Sequence, residues 1–360
     1  MPRVSKVRFQ LQVHKIQSTH TTCTDKTLFI FIYLYYSIQC FSHTRPLAEL
    51  QYVLIKDNDN DTEETFLLSA CHDKVPMLRD ALTGNWIGSW IGHKGAVWSC
   101  QMDPTGSLAA TASGDYSARV WDAITGQSLI ELPHKHIVKT VTFSPNSQRL
   151  ATGGKEGTLR IYELSDILLS KQNNNNNNNN KKADASIAPA LLEITQESPI
   201  TKIIWVTDEL LLCSCMNGKI YLWNTNDNEP TLVHTFDTKE GAEIRDMEVR
   251  SITGSQSLIL SVAAGTKVYF FDVNKPYELL KEYKMPIHFK DEGGCTLHPS
   301  GKKFVAGGSD LWVRVFDFET GEQLECHKGH HGPIRCVRFS PDGQTYASGS
   351  EDGTIRLWKA

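Results

Sequence analysis

The sequence lacks the motifs by which the common catalytic sites are identified. It has no glycine-rich phosphate-binding loop, no GxSxG nucleophile elbow and no HExxH metalloprotease motif. These motifs hold reactive groups at fixed spacings on one element, so an enzyme of those classes is expected to show one. The sequence therefore predicts that the protein is not an enzyme, has no catalytic residues and uses no cofactor.

An excess of positive charge is missing as well. The chain has 37 Lys and Arg residues against 41 Asp and Glu residues, which gives a formal net charge of −4. Proteins that bind nucleic acid through its phosphates usually carry a basic surface. We therefore expect no direct binding of nucleic acid.

A disulfide framework is also absent. The nine cysteines are odd in number and scattered, without the regular spacing that marks paired cysteines in small secreted domains. Free cysteines are typical of proteins from reducing compartments. This pattern favours a reduced intracellular protein.

No segment is long and apolar enough to span a membrane. The apolar run near the N-terminus, residues 28–36, has nine residues, whereas a spanning helix needs about 20. Basic residues precede the run, but no small-x-small cleavage site follows it, so we expect no signal peptide. The sequence thus predicts no membrane association.

What the sequence does contain is an internal repeat of roughly 40 residues, a period typical of propellers and solenoids. In two segments a His stands 28 residues before a Trp, a Pro stands 17 before it, and an Asp stands 6 before it. The matched positions are His93, Pro104, Asp115 and Trp121 in one copy and His330, Pro341, Asp352 and Trp358 in the other.

More divergent copies bring the number of repeats to seven. The positions equivalent to the Trp are Arg79, Trp121, Tyr162, Trp223, Phe271, Phe316 and Trp358, spaced by 42, 41, 61, 48, 45 and 42 residues. The one long interval contains an Asn-rich segment, residues 168–188, which cannot bury apolar surface. We predict that this segment is a disordered loop inserted between blades 3 and 4.

Each repeat reads as four short alternating strands separated by turn sequences such as "SPDG" and "SEDG". This pattern resembles the WD-repeat family, whose members form β-propellers. The resemblance implies an all-β, seven-bladed WD-repeat β-propeller over residues 37–360. Residues 1–36 precede the first repeat, and we expect this N-terminal extension to be poorly ordered.

The ring is predicted to close through a strand at the N-terminal side. Residues 128–132 precede His134 by the same offset at which residues 37–41 precede His43. The chain stops after the third strand of the last blade, so that blade lacks an outer strand. Residues 37–41 are placed to supply it and so to close the ring.

The repeated polar residues are predicted to be structural. A strand-end His, a turn Asp, a Trp N–H and a Ser or Thr four residues before the Asp can satisfy one another when buried. The predicted blade network consists of His93, Thr111, Asp115, Trp121, His134, Thr152, His330, Ser348, Asp352 and Trp358.

The same register predicts a rim that is available to partners. Three residues begin the innermost strands of their blades, and two precede the turn acids, so all five should lie near one end of the central channel. These candidate partner-binding residues are Trp98, Lys139, Lys155, Arg335 and Glu351. A solvated rim without a partner is the alternative interpretation of each.

Two groups of side chains could suggest a metal site. The histidines of "HKH" at 134–136 and "HKGHH" at 327–331 include His134 and His330, which the blade network already explains. Cys213 and Cys215 alternate along one strand, and no second cysteine pair lies nearby in sequence. We therefore predict buried core cysteines and no metal.

Three segments are more specific than the general repeat: residues 80–126, 134–164 and 328–358. They resemble the serine-threonine kinase receptor-associated protein family, also called unr-interacting proteins. The resemblance implies a non-catalytic scaffold, a monomeric subunit of the survival-of-motor-neuron (SMN) complex in spliceosomal ribonucleoprotein assembly. It also implies proteins of a receptor-kinase pathway as partners, and a cytoplasmic and nuclear location.

A second family shares part of this pattern. The "GHKGAVW" and "KGHxGPI" style of blade also resembles the WD-repeat subunit of the third eukaryotic translation initiation factor. The segment "HKHIVKTVTFS", which begins at His134, favours the first family. The translation-factor scaffold is therefore the alternative function.

Overall fold

The computed structural model of the protein describes residues 37–41, 43–57, 62–165, 168, 189–226, 229–238, 241–274, 276–289 and 293–360. The chain divides into two units, Met1–Tyr36 and Ser37–Ala360, and the second contains all of the described residues. The predicted poor order of residues 1–36 lies outside them. In the described part, no helix is long and apolar enough to cross a membrane.

The described residues of the second unit form 28 strands. In chain order they are β1 (Ser37–Phe41), β2 (Leu47–Asp57), β3 (Thr62–Cys71), β4 (Met77–Asp80), β5 (Trp86–Ser89), β6 (Val97–Met102), β7 (Leu108–Ser113), β8 (Ser117–Asp122), β9 (Ser128–Pro133), β10 (Val138–Phe143), β11 (Arg149–Gly154), β12 (Thr158–Glu163), β13 (Leu192–Thr195), β14 (Ile200–Trp205), β15 (Leu210–Cys215), β16 (Lys219–Asn224), β17 (Thr231–Asp237), β18 (Ile244–Ser251), β19 (Leu258–Ala264), β20 (Lys267–Asp272), β21 (Leu279–Lys284), β22 (Gly294–Leu297), β23 (Lys303–Gly307), β24 (Trp312–Asp317), β25 (Gln323–Lys328), β26 (Ile334–Phe339), β27 (Thr345–Ser350) and β28 (Thr354–Lys359).

These strands form seven antiparallel sheets of four strands each, arranged as the blades of a β-propeller. Blades 1 to 6 are β2–β5, β6–β9, β10–β13, β14–β17, β18–β21 and β22–β25, each in sequential order from the innermost strand outward. Blade 7 has the order β26–β27–β28–β1. The predicted all-β, seven-bladed fold is confirmed.

The hydrophobic core lies between neighbouring blades. Leu68 and Ala70 of blade 1, for example, pack with Val97, Cys100 and Trp121 of blade 2. The small residues of the second strands, as in the "LAATAS" of β7, leave room for the next blade. Side chains on both faces of β7 are buried from Ala109 to Ser113, because this strand lies between two neighbouring blades.

The last blade is completed by the first strand. β1 pairs with β28 in antiparallel register, with Gln39 opposite Arg356 and Cys40 opposite Ile355. Arg356 also donates a 3.0 Å hydrogen bond to the Gln39 side chain. Cys40 packs in a buried cluster that blades 7 and 1 share. We call this cluster the seam. The predicted closing strand is therefore confirmed with its boundaries.

The position of the Asn-rich insertion differs from the prediction. The segment at residues 168–188 follows β12 and precedes β13, and these two strands are neighbours in one sheet. The insertion therefore lies within blade 3, before its outermost strand, and not between blades 3 and 4. Apart from Leu168, its residues lie outside the described part of the chain, which leaves its disorder a prediction.

The blade network forms in blade 2 with all four side chains. His93 Nδ1 lies 2.8 Å from Asp115 Oδ2, and its Nε2 lies 2.6 Å from Thr111 Oγ1. Trp121 Nε1 donates to the same Thr111 oxygen at 2.8 Å. Burial would raise the pKa of Asp115, but hydrogen bonds from His93, the Lys94 N–H and Ser117 hold this pKa well below its usual range.

Blade 7 contains a close copy of this network. Ser348 Oγ lies 2.7 Å from His330 Nε2 and accepts the Trp358 N–H at 2.8 Å. His330 Nδ1 lies 3.4 Å from Asp352 Oδ2 and 3.0 Å from Thr354 Oγ1. In both blades the network connects the segment before the first strand, which carries the histidine, with the second strand, the turn after it and the third strand.

Blade 3 is held differently. His134 Nε2 contacts Thr152 at 2.9 Å, but its Nδ1 lies 3.0 Å from the Leu132 carbonyl oxygen. The turn acid, Glu156, instead accepts two hydrogen bonds from Arg160, at 2.9 and 2.6 Å. An arginine four residues after the turn acid therefore takes the place of the histidine as the partner of the acid.

We expect Asp115→Ala to lower the free energy of unfolding by about 1–3 kcal/mol, because His93 and two backbone N–H groups lose their acceptor. Urea denaturation measures the loss. Glu63→Ala is the control, since Glu63 and Lys56 form an ion pair with side chains 54% and 64% exposed. Equal effects of the two substitutions would contradict a structural role of the network.

We expect Cys40→Lys to lower the free energy of unfolding by about 3 kcal/mol or more, because it buries a second cation beside Arg79 at the seam. Ile38→Lys is the matched control on the same strand, since Ile38 is 41% exposed and Cys40 only 6%. Denaturant titrations of both variants test this expectation. A stability of Cys40→Lys close to that of the control would show that β1 does not contribute to closure.

Candidate functional site at the mouth of the channel

The innermost strands of six blades share a β-bulge near their first residue. Each strand skips one residue in its pairing with the second strand of the blade. A bulge redirects the extra side chain out of the normal alternation. The skipped residues are Ala48, Trp98, Lys139, Thr201, Arg245 and Arg335.

A recess of about 250 Å³ opens where these bulges meet, and residues from blades 1 to 5 and blade 7 line it. Its charged lining consists of the basic residues Lys139, Lys155, Lys202, Arg245 and Arg338 and the acidic residues Glu49 and Glu243. A basic recess therefore exists on a protein whose formal net charge is −4.

The structure brings three of the five predicted rim residues together. Trp98, Lys139 and Lys155 all line the recess. Arg335 and Glu351 are not part of the lining. They contact each other on blade 7, with 3.7 Å between Arg335 Nη1 and Glu351 Oε2.

Trp98 is the aromatic centre of this rim. The Lys139 ammonium lies 3.0 Å from the centroid of the Trp98 ring, in a cation–π arrangement. The Trp98 ring also contacts the His72 ring in an edge-to-face arrangement, with 4.4 Å between the ring centroids. Residues of blades 1, 2 and 3 are thus packed in a row along the rim.

His72 is a rim residue that the sequence analysis missed. Burial, together with the positive charges of Arg335 and Lys139, lowers its pKa to about 4. The repeat contains a signal for it: His72 directly precedes the turn acid Asp73, as Lys155 precedes Glu156. The same register also gives Met216, which lines the recess.

Beneath the rim, a cluster of four charged side chains bridges the channel. Lys202 of blade 4 lies 3.0 Å from Glu49 of blade 1 and 2.8 Å from Asp246 of blade 5. Arg338 of blade 7 binds both oxygens of Asp246 at 2.6 Å. We call Glu49, Lys202, Asp246 and Arg338 the ion cluster.

The ion cluster depends on a glycine in blade 6. A Cβ atom at Gly294 would collide with the Asp246 carboxylate, so only glycine at this position lets Asp246 reach Arg338 across blade 6. Burial alone would raise the pKa of Asp246, but Arg338 and Lys202 hold it below its usual range. The cluster was missed because its members are far apart in sequence.

At the same level, side chains on the inner strands accept backbone N–H groups of the neighbouring inner strand. Ser99 of blade 2 accepts the Val141 N–H at 3.4 Å, and Thr140 of blade 3 accepts the Ile203 N–H at 3.1 Å. Glu49 does the same for Cys100 at 3.3 Å. Inner strands of adjacent blades are therefore held in a fixed register around the channel.

The two predicted core cysteines, Cys213 and Cys215, are fully buried in the apolar cluster between blades 3 and 4. Several thiols have their pKa raised by burial, which disfavours a thiolate nucleophile or ligand. They are Cys40, Cys71, Cys100, Cys213 and Cys295.

The remaining candidate ligands already have partners within the blades. His327 stacks on Trp358, with 5.2 Å between ring centroids. His43, Cys71 and Asp73 place three ligand atoms within 4.8 Å of one another. Both ring nitrogens of His43 are engaged, however, by Asp73 and Ser69 at 2.8 Å each.

We expect Asp246→Asn to lower the free energy of unfolding by about 3–5 kcal/mol, since it leaves the Lys202 and Arg338 charges undercompensated in a buried site. Glu243→Gln is the control. Its partner Arg245 is 2.8 Å away and both side chains are 26% exposed, so the cost should be below about 1 kcal/mol. Chemical denaturation compares the variants, and similar losses would argue against the ion cluster as a stabilising element.

We expect stability to fall as the pH drops from about 6.5 towards 4. His72 and His330 have a pKa of about 4 in the folded protein, so the unfolded chain binds protons that the folded chain excludes. Their contribution is complete above about pH 6.5 and is lost on acidification. Urea titrations at pH 7.5, 6.5 and 5 measure this, and His72→Gln should flatten the slope whereas the exposed His136→Gln should not. An unchanged slope in His72→Gln would refute the lowered pKa of the half-buried His72.

Comparison with known proteins agrees with the propeller fold. Residues 84–122, 126–163 and 321–359 match the family model described as WD domain, G-beta repeat. The serine-threonine kinase receptor-associated protein of Dictyostelium discoideum is 39% identical over 326 residues, which cover 89% of this chain and 97% of that protein. The human protein of the same name is 37% identical over 325 residues, covering 89% and 82%.

A more distant relative belongs to the translation machinery. Subunit I of eukaryotic translation initiation factor 3 from Drosophila sechellia is 26% identical over 333 residues, which cover 88% of this chain and 94% of that protein. The higher identity to the first group extends over nearly the whole propeller. The chain therefore belongs to the serine-threonine kinase receptor-associated protein family of WD-repeat β-propellers.

Proposed function

We propose that the protein is a non-catalytic scaffold whose channel mouth binds a protein partner through blades 2 and 3. The observation that carries the proposal is the joint presence of Trp98, Lys139 and Lys155 around one recess. A tryptophan in a partly desolvated recess is typical of the residues that contribute most to protein interfaces, and the two lysines add charge that can select a partner. Arg335 and Glu351 extend this surface over blade 7.

We further propose that the scaffold is a monomeric subunit of the SMN complex, which assembles spliceosomal ribonucleoproteins. The support is the 37–39% identity to receptor-associated proteins over 89% of the chain and the specific segments of blades 1 to 3 and 7. The name of these relatives also supports an adaptor role beside kinase receptors. The proposed location is the cytoplasm, with the nucleus as a second compartment.

The alternative is a scaffold subunit of the third eukaryotic translation initiation factor. Its support is the 26% identity to subunit I over 94% of that protein. Since the identity to the receptor-associated proteins is higher over a similar length, the SMN complex is the better supported assembly.

The deciding experiment is affinity capture from native cell extract with the tagged full-length chain and quantitative mass spectrometry. Recovery of SMN-complex proteins supports the first assembly, whereas recovery of initiation-factor subunits in their place supports the alternative. We expect Trp98→Ala to reduce capture at least tenfold. Lys302→Glu, an exposed residue of the turn between β22 and β23 on the opposite face, should leave capture unchanged. Full capture by Trp98→Ala would rule out the channel mouth as the partner-binding surface.

A further inference from the structure

Most charges that line the recess neutralise one another. The pairs are Arg245 with Glu243 at 2.8 Å, Lys202 with Glu49 at 3.0 Å and Arg338 with Asp246 at 2.6 Å. These pairs use both acidic side chains of the lining. Two further lysines of the lining, Lys139 and Lys155, belong to blade 3.

Lys155 is the more exposed of these two lysines. Its sequence neighbour Glu156 could have neutralised it, but Arg160 binds both oxygens of that carboxylate. Among the described residues, no acidic side chain pairs with the Lys155 ammonium. The blade-3 network therefore leaves a lysine without a counter-charge at the edge of the recess.

Lys139 is held close to Lys155 by the backbone. The Lys155 N–H donates to the Ile137 carbonyl oxygen at 3.0 Å, and a Cβ atom at Gly154 would collide with this same carbonyl and with the Lys139 nitrogen. The turn that carries Lys155 therefore lies against the start of β10. Lys139 in turn covers the Trp98 ring at 3.0 Å.

We propose that the recess binds an acidic side chain from an extended segment of the protein partner. The carboxylate contacts the Lys139 and Lys155 ammonium groups, and the adjoining carbon atoms pack on Trp98 and Met216. This inference rests on the proposed function, because it specifies the chemistry of the partner at the same surface. Charge-assisted hydrogen bonds in a partly desolvated site provide the selectivity.

The dimensions and charge distribution favour a peptide carboxylate over other anions. At about 250 Å³, the recess is smaller than the roughly 300–1,000 Å³ of pockets for larger ligands and accommodates single side chains. Nucleic acid is bound by basic groups that follow successive phosphates. Here the two lysines lie side by side at one recess of a protein with an excess of acidic residues.

The test uses the full chain and a fluorescein-labelled octapeptide, Gly-Gly-Glu-Glu-Glu-Glu-Gly-Gly, in fluorescence polarisation at low ionic strength. The comparison probe has Gln in place of each Glu. We expect the Glu peptide to bind at least tenfold more tightly than the Gln peptide, with the difference decreasing as salt is added. We also expect Lys155→Glu to weaken Glu-peptide binding by roughly tenfold or more, whereas Lys302→Glu binds as the unsubstituted chain does.

Several outcomes would overturn the inference. These are equal affinity for the two peptides, no binding of the Glu peptide at millimolar concentration, and an equal loss in Lys302→Glu. Tighter binding of a four-nucleotide oligouridylate would also overturn it in favour of nucleic acid. Because Lys155 is exposed, we expect an unchanged melting temperature for Lys155→Glu, which separates loss of binding from loss of folding.

Capture from extract distinguishes the two proposals. Loss of partners in Trp98→Ala but full retention in Lys155→Glu leaves the channel mouth as the interface and overturns the carboxylate site. Retention in both variants overturns the interface itself. Loss in both variants, with retention in Lys302→Glu, supports both.

Discussion

The structure depends on the pairing of β1 with β28. A propeller blade without its outer strand would expose the edge of its third strand and part of the core that it shares with the next blade. Here Gln39 bonds to Arg356, and Cys40 fills the seam between blades 7 and 1. Residues at opposite ends of the second unit are thereby fixed, and the inner strands of the seven blades form a closed ring.

Closure of the ring makes the ion cluster possible. Glu49, Lys202, Asp246 and Arg338 come from four blades, and each needs its partner at 2.6–3.0 Å across the channel. Buried charges are tolerated only when they are paired in good geometry. A ring that opened would separate blade 7 from blade 1 and release these restraints. The cluster therefore couples the interior of the channel to the closure of the ring.

The candidate site results from differences between blades that share one architecture. In blades 2 and 7 the turn acid contacts the blade histidine, whereas in blade 3 Glu156 is bound by Arg160. That exchange leaves Lys155 uncompensated beside Lys139. The bulge at the start of six inner strands presents one side chain to the mouth, and among these six described bulges only that of blade 2 presents a tryptophan. Blades of the same architecture therefore present different side chains at the mouth of the channel.

The sequence by itself determined the fold, because the His, Asp and Trp positions recur at fixed offsets and their side chains can bond to one another within one blade. It also determined the closure, because residues 37–41 precede His43 at the same offset as an outer strand precedes the His of a later blade. It also placed Trp98, Lys139 and Lys155 at the rim through their register. It did not reveal the ion cluster, the role of Gly294 or the position of the insertion within blade 3. Only the tertiary structure decided these features, since they depend on distances between strands of different blades and on which strands pair across a long insertion.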